Sequence, residues 1–335
     1  MATLNEPAVN QNFTLQQADG AEILSLVDNS VDFLSYVDKP QVKPFRQWTK
    51  AKYGPQWAET HASLPFGEHG FAMLIRVFSR HRTSCILFDT GVSADGVVEN
   101  ARRMGVNLNE VECIVLSHGH YDHFGGLPAA VQAIGKAELP IIVHEDMFTV
   151  RGAASADGVV RKYPTFPAAA QLQQARLIYT KQPFLTAEGV VCVTGEIPRN
   201  TSFEKGYAQH RVFADGVWKP DPWIMDERAV VINIKEKGLV VLSGCAHAGI
   251  INTVAYARQL TGVKHVYAVM GGFHLAGKDF EGRIQPTIEA LKQIRPELIV
   301  PSHCTGWKAM CAIAEALPEA FVWNSVGNLY RLGAL

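Results

Sequence analysis

The chain has 335 residues, 47% hydrophobic and 19% charged, a composition that supports a large packed core and excludes general disorder. Lys and Arg number 31 against 32 Asp and Glu, a formal net charge of -1 that leaves no basic footprint for nucleic acid. No basic-then-apolar leader opens the sequence and no apolar run approaches the roughly 18 residues that span a bilayer; with six dispersed cysteines and no CxxC pair, the expectation is a cytoplasmic protein with free thiols and no membrane partner.

In chain order, residues 1–20 are polar and aperiodic and read as a loose arm. Ile23–Val27 reads as a short buried strand ending at Asp28-Asn29. Residues 38–66, rich in Pro, Trp and Lys/Arg, read as an irregular excursion with one short helix over Arg46–Lys52. Phe71–Phe78 and Ser84–Phe88 read as paired strands joined through Ser79–Thr83, with Asp89-Thr90-Gly91 as the turn that follows. Gly96–Met104 reads as a helix, Val111–Leu116 as a buried strand, Leu127–Ile134 as a helix, and Pro140–Val143 as a strand ending at His144. The stretch 147–181 lacks regular period. Val190–Val193 reads as a strand, and 200–226, with Trp218, Pro220, Pro222 and Trp223, as a loop or lid. Ala229–Ile234 and Leu239–Leu242 form a predicted hairpin around Glu236-Lys237-Gly238. Helix Ile251–Leu260, strand Val266–Met270, helix Pro286–Ile294, strand Leu298–Val300 and helix Gly306–Ala316 complete the chain. Strands dominate early and strand–helix alternation late, which implies an α/β layered sandwich.

The informative segment is Ser117-His118-Gly119-His120-Tyr121-Asp122-His123-Phe124-Gly125-Gly126. It follows a predicted strand, where α/β folds place reactive groups. His118 and His120 stand two residues apart and share a direction on extended backbone. Asp122 and His123 lie on the turn beyond and can face a second point. Imidazole and carboxylate suit zinc and similar divalent ions, and small Gly119, Gly125 and Gly126 let the backbone bend tightly. The chance alternative, a polar loop with accidental histidines, is poor when a chain with 12 His places three within six positions.

His-x-His-x-Asp-His after an apolar strand resembles the signature of the metallo-β-lactamase superfamily, and Asp89-Thr90-Gly91 is similar to that superfamily's first motif. Leu242-Ser243-Gly244-Cys245-Ala246-His247-Ala248-Gly249-Ile250-Ile251-Asn252, Gly271-Gly272-Phe273-His274-Leu275 and Pro301-Ser302-His303-Cys304-Thr305-Gly306 resemble the subgroup named for a dihydropterin ribofuranosyl-aminobenzene phosphate synthase. Asp28-Asn29 and Glu68-His69-Gly70 are similar to that subgroup too. The resemblance runs from about residue 22 to about 330, without a match over 38–66 and 145–225. It implies an αββα sandwich, two mixed β-sheets with helices on the outer faces, as a single catalytic domain over 21–335 with insertions near 38–66 and 145–226. It implies a metal-dependent hydrolase with a divalent metal cofactor, two Zn2+ per chain or Mn2+ or Fe2+ in their place, and Asp89 orienting the ligands without touching the metal.

A two-metal site needs six or more ligands, and His118, His120, Asp122 and His123 supply four. His247, His274 and His303 each close a predicted strand and compete for the rest. The expectation is His247 on the first metal and His303 on the second. His274 stands either as a second-metal ligand or as the free acid that protonates the leaving group, with Asp122 accepting a proton from the water. Two positions depart from the superfamily pattern. Many members carry a bridging Asp where this chain has Cys245, which reads equally as a thiolate ligand or a buried thiol. Many carry a ligand His where it has Thr194-Gly195-Glu196. His69 could line the pocket and His144 could be an outer hydrogen-bonding group. Arg199, Lys205 and Thr305 could bind an anion, the last at a helix start, and Trp218 and Trp223 could wall the pocket. The substrate class is a small molecule, anionic or pterin-like, with ester, lactone, thioester and phosphodiester chemistry all open. Two rival readings are an iron-dependent redox protein and a non-catalytic ligand-binding protein of the same fold; self-association is left open.

Overall fold

The computed structural model describes residues 13–60, 64–80 and 82–334. Among them three sheets form. The first has eight strands, in spatial order 175–179, 139–143, 113–115, 82–88, 72–79, 20–27, 329–333 and 42–43. The second has seven: 184–186, 191–193, 229–234, 238–243, 266–272 and 298–302 in order, with Gln17–Ala18 pairing beside Asn233 and Ile234. Both are mixed, with parallel and antiparallel pairs in each.

The alternation of side chains along each strand explains how these sheets stack. Ile23, Met73, Ile75, Ile86, Phe88 and Val115 point from the first sheet into one shared core, where they meet Val193, Val230, Ile232, Leu242, Met270 and Val300 of the second. The intervening residues of the first sheet, Leu24, Leu74, Leu87 and Ile114, face helices Gly96–Arg103 and Leu127–Ile134. Those of the second, Val231, Val241, Val269 and Ile299, face helices Ile250–Thr261, Ile284–Ile294 and Trp307–Ala316. The layers are therefore helix, sheet, sheet, helix, as the sequence implies. Strands buried on both faces need continuous apolar runs, and Ala229–Ile234 is buried throughout.

The third sheet revises the reading of the two irregular stretches. Val150–Ala154, Val160–Lys162, His210–Ala214 and Val217–Pro220 form four short antiparallel strands. They escape a periodicity search because each is only three to five residues long and most of their side chains are partly or fully exposed. The last two join through Asp215-Gly216, both at positive φ, the conformation that a two-residue hairpin turn demands. Three smaller corrections apply. The excursion over 38–66 carries two helices, Phe45–Tyr53 and Pro55–Thr60. The early strands run to Ser79 and from Arg82, with Ser79 paired to Arg82. Within the expected arm, 13–20 is ordered against the second sheet, with Leu15 buried; residues 1–12 lie outside the described residues.

Pairing directions bring the C-terminal ends of 20–27, 82–88, 113–115, 139–143, 191–193, 238–243, 266–272 and 298–302 to one edge of the sandwich. The motifs singled out from the sequence lie just beyond these ends, except Glu68-His69-Gly70, which precedes strand 72–79. No helix among the described residues is long and apolar enough to cross a membrane. Ile232 sits fully buried in the shared core, opposite Val191 and Val240. Ile232→Ala is expected to lower unfolding stability by about 2–5 kcal/mol, read as a lower urea midpoint at unchanged slope.

Candidate metal centre

The segment after strand Cys113–Val115 is held by one carboxylate. Asp89 is fully buried and sits at φ 60°, a left-handed conformation uncommon outside glycine. Its Oδ1 accepts the Ser117 N–H at 2.7 Å, and its Oδ2 accepts both the Ser117 hydroxyl and His123 Nδ1–H at 2.7 Å each. Three hydrogen bonds and the Asp89 N–H to Val115 carbonyl bond offset the local strain. The loop of Gly244 presses against the same point: a Cβ there would run into the Ser117 side chain and stand 2.8 Å from Asp89 Oδ2. Likewise a Cβ on Gly119 would lie 2.6 Å from the Met147 Cα.

The acceptors around each imidazole decide which of its nitrogens carries the proton. His118 Nδ1–H donates to Ser117 Oγ at 2.9 Å, whose own proton goes to Asp89. His210 Nδ1 faces the Asp221 carbonyl at 2.8 Å and must donate, so its Nε2 accepts from His120 Nε2–H at 3.0 Å. His123 donates to Asp89. The Asn29 amide donates to the His303 carbonyl at 3.0 Å, which turns Asn29 Oδ1 to accept His303 Nδ1–H at 3.2 Å. In all four rings the inward nitrogen is then a bare lone pair.

The inward nitrogens crowd against other donor atoms. His118 Nε2 lies 2.9 Å from His120 Nδ1, which lies 3.2 Å from His247 Nε2. Nitrogens around a tetrahedral zinc ion stand roughly 3.3 Å apart, given Zn–N bonds of 2.0–2.1 Å. In a second group His303 Nε2 sits 3.3 Å from Asp122 Oδ2 yet makes no hydrogen bond. His123 Nε2 stands 3.9 Å from the same carboxylate and 3.1 Å from Cys245 Sγ. Donor atoms of His118, His120 and His247 lie within 4.8 Å of one another, as do those of His69, Asp122 and His303; Cys245 shares such a cluster with His118 and His123, and another with His247 and His274.

Electrostatics favour neutral rings at His118, His120, His247, His274 and His303 and set His123 apart. Burial, then the neighbouring histidines, pushes His118 and His247 well below their ordinary pKa; for His120 the causes are burial and then His210. Burial pulls His274 down to about 3, helped by His303 and Arg283. For His123 burial is outweighed by Asp89 and Asp122, and its pKa rises. Burial would raise Asp122, but His123 and His303 hold it as a carboxylate far below the usual range. Neutral imidazoles with opposed lone pairs beside a bare carboxylate and a buried thiol are a donor set that fits divalent cations. His118, His120 and His247 can hold one ion; Asp122 and His303, with His69 or the more distant His123, can hold another, with Cys245 against His123.

The late histidines are positioned with equal care. Asp28 Oδ1 accepts the His303 N–H at 2.7 Å, with Asn324 on its other oxygen at 2.7 Å, and burial lifts its pKa to about 6. The Glu227 carboxylate accepts the Ala248 N–H and so anchors the loop of Cys245 and His247; burial lifts it to about 7. His274 stacks 4.1 Å from His247, its Nδ1 without a hydrogen bond. His69 is at the mouth, its side chain 65% exposed and its Nε2 3.6 Å from Asp122 Oδ2.

Other expected residues stand elsewhere. Arg199 is engaged with the carbonyls of Ile197, Trp223 and Ile224, lacing a loop rather than presenting charge to an anion. The buried Thr305 hydroxyl accepts the Phe273 N–H at 3.0 Å, so it fixes the His274 loop and does not open an anion site. Lys205 is exposed. His144 is buried and bonds Glu196 Oε1 at 3.0 Å. Trp218 packs on Phe213 at 5.2 Å, within the third sheet. Sequence reasoning missed His210, Glu227, and the buried Arg151–Asp226 pair whose Asp226 Oδ2 accepts the Gly119 N–H at 2.7 Å. The Asp215-Gly216 turn was the one signal that a hairpin, and with it His210, lies there.

Comparison with known proteins gives a consistent picture. A family model described as the metallo-beta-lactamase superfamily matches residues 66–197. The 7,8-dihydropterin-6-methyl-4-(beta-D-ribofuranosyl)-aminobenzene-5'-phosphate synthase of Methanocaldococcus jannaschii is 35% identical over 290 residues, 82% of this chain and 94% of that protein. An uncharacterised protein of the same organism is 31% identical over 274 residues, 79% of this chain and 93% of its own length. A crystal structure described as a metal-dependent hydrolase of the beta-lactamase superfamily has a TM-score of 0.70 at 22% identity, covering 94% of this chain and 100% of that one, and shows the shared fold.

Asp89→Asn keeps a residue that tolerates left-handed backbone but removes the charge that Ser117 and His123 share. Zinc affinity, measured by competition with a chromophoric chelator, is expected to fall roughly 10–100-fold. Wild-type affinity in this variant would show that the carboxylate serves the backbone alone.

Proposed function

Since this chain belongs to the metallo-β-lactamase superfamily, we propose that it is a metal-dependent hydrolase of a small ester, lactone or phosphate-bearing substrate. It holds two divalent ions, zinc in the first instance and Mn2+ or Fe2+ as substitutes. The observation that carries this reading is the pair of buried, inward-facing donor groups, whose nitrogen and oxygen atoms stand 2.9–3.3 Å apart. A divalent ion held there supplies Lewis acidity and brings the pKa of a water it takes toward neutrality.

The protein's own groups divide the remaining work. Asp122 stays ionised at neutral pH, and this makes it a ligand first and a weak proton acceptor second. His274 is neutral with a pKa near 3, so it serves a leaving group as a hydrogen-bond donor and not as an imidazolium acid. Around the mouth Tyr207 stacks on Phe280 at 5.3 Å, Arg283 lies 4.6 Å over Phe280, and Arg161 lies 5.3 Å over Tyr163. Aromatic faces beside guanidinium groups favour a flat, anionic substrate.

A second reading follows from the relative named for a synthase of a pterin–aminobenzene phosphate. There the same centre activates a pterin-like substrate for transfer to an acceptor other than water. Product analysis separates the two: hydrolysis incorporates oxygen from 18O-labelled water, and transfer does not.

Elemental analysis of protein purified without added metal is expected to give about two zinc per chain. In His118→Ala/His120→Ala it falls, and turnover across phosphodiester, lactone and thioester substrates drops by about 10³-fold or more, the several kcal/mol that Lewis-acid stabilisation supplies. In Cys245→Ser the content falls toward one; a value of two in that variant would make Cys245 a buried thiol only. Tightly held iron would favour redox chemistry, and metal-free wild type with full turnover would overturn the reading.

A further inference from the structure

The third sheet reaches the centre through a histidine that no motif announces. His210 opens the strand His210–Ala214, is fully buried, and places its ring 5.1 Å from that of His120. Its Nε2 lies 3.0 Å from His120 Nε2, and its Nδ1 is fixed by the Asp221 carbonyl at 2.8 Å, with the Asp221 carboxylate 3.3 Å away. The Asp221 N–H donates back to the His210 carbonyl at 3.1 Å, so the two residues lock each other. Both ring nitrogens of His210 are thereby occupied, and it cannot itself reach an ion between His118, His120 and His247.

Its position matters because a carbonyl oxygen only accepts. Asp221 forces the proton of His210 onto Nδ1, which leaves Nε2 as an acceptor and forces the proton of His120 onto its own Nε2. His120 Nδ1 is then a lone pair, aimed at His118 Nε2 and His247 Nε2. With His210 gone, His120 has no partner behind it, and its ring is free to flip or to carry its proton inward, where it would exclude a cation.

We propose that His210, held by Asp221, is the positioning residue that sets the tautomer and orientation of His120, so that docking of the third sheet and occupancy of the His118–His120–His247 group are one coupled event. The inference rests on the reading of that group as a metal site. A separate strut makes the docking firm: Arg151, on the neighbouring strand, forms a two-pronged ion pair with Asp226, which accepts the Gly119 N–H beside His120. That strut touches no imidazole, so its contribution can be told apart from that of His210.

The test is zinc affinity of the full chain, measured against a chromophoric chelator, with Co2+ absorption spectra as a second readout. His210→Phe fills the space without an acceptor. It is expected to weaken one of the two sites 10–100-fold and leave the other within a few-fold, with the Co2+ spectrum of that site altered. His210→Gln, whose side-chain oxygen can accept from His120, is expected to restore most of the affinity. Wild-type affinity in His210→Phe, equal weakening in His210→Phe and His210→Gln, or parallel loss of both sites with lowered thermal stability of the metal-free chain would overturn the proposal. A wild-type chain that binds no zinc would instead overturn the reading of the metal centre, and this role with it.

Discussion

One carboxylate oxygen, Asp89 Oδ2, orients an imidazole of each donor group. It accepts His123 Nδ1–H directly and His118 Nδ1–H through the Ser117 hydroxyl. Since a carboxylate only accepts, both rings carry a proton on Nδ1 and turn Nε2 inward. The left-handed backbone at Asp89, the missing Cβ at Gly244 and full exclusion from water all serve to bring that oxygen to a place where it can act on both rings. The sandwich delivers the parts: Asp89 follows one strand, Ser117 follows its parallel neighbour, and Gly244 follows a strand of the opposite sheet, so their meeting depends on how the two sheets face each other.

The consequence is a crowd of buried donor atoms that the protein alone pairs poorly. The inward lone pairs of His118 and His120, 2.9 Å apart, repel, and burial forbids the imidazolium ions that would relieve them. Asp122, ionised and with His303 Nε2 at 3.3 Å, repeats the conflict in the second group. Positive charge placed between the donors resolves both conflicts at once. Strain of this kind persists only where the surroundings over-determine it. Here they do: Asp28 and Asn29 fix His303, Glu227 fixes the loop of His247, and Asp226 fixes Gly119.

What the sequence reveals follows from how local each feature is. His118, His120, Asp122 and His123 stand within six residues, and their chemistry is legible from spacing alone. The strands that carry them are buried apolar runs with sharp ends, so the layers were legible too. His210 is 90 residues from His120, on a strand too short and too exposed to show a period. Glu227 and Asp226 look like surface charges until the fold buries them. Arg199 and Thr305 fail in the opposite sense: their types suit an anion, but backbone groups claim them, and that competition is invisible without the chain path.

The departures from the superfamily pattern also find a physical account. Where the resemblance implied a ligand histidine, Glu196 turns away to bond His144. Its place in the first group falls to His247, which shares a short loop with Cys245. On the proposed reading two loops serve both groups: 117–123 gives His118 and His120 to one and Asp122 and His123 to the other, while 245–247 gives His247 to the first and Cys245 beside His123. The separation of the two groups is then set by the backbone of two tight loops and not by any side chain that could swing between them. The Glu227 carboxylate, accepting the Ala248 N–H, fixes the backbone of the second of these loops.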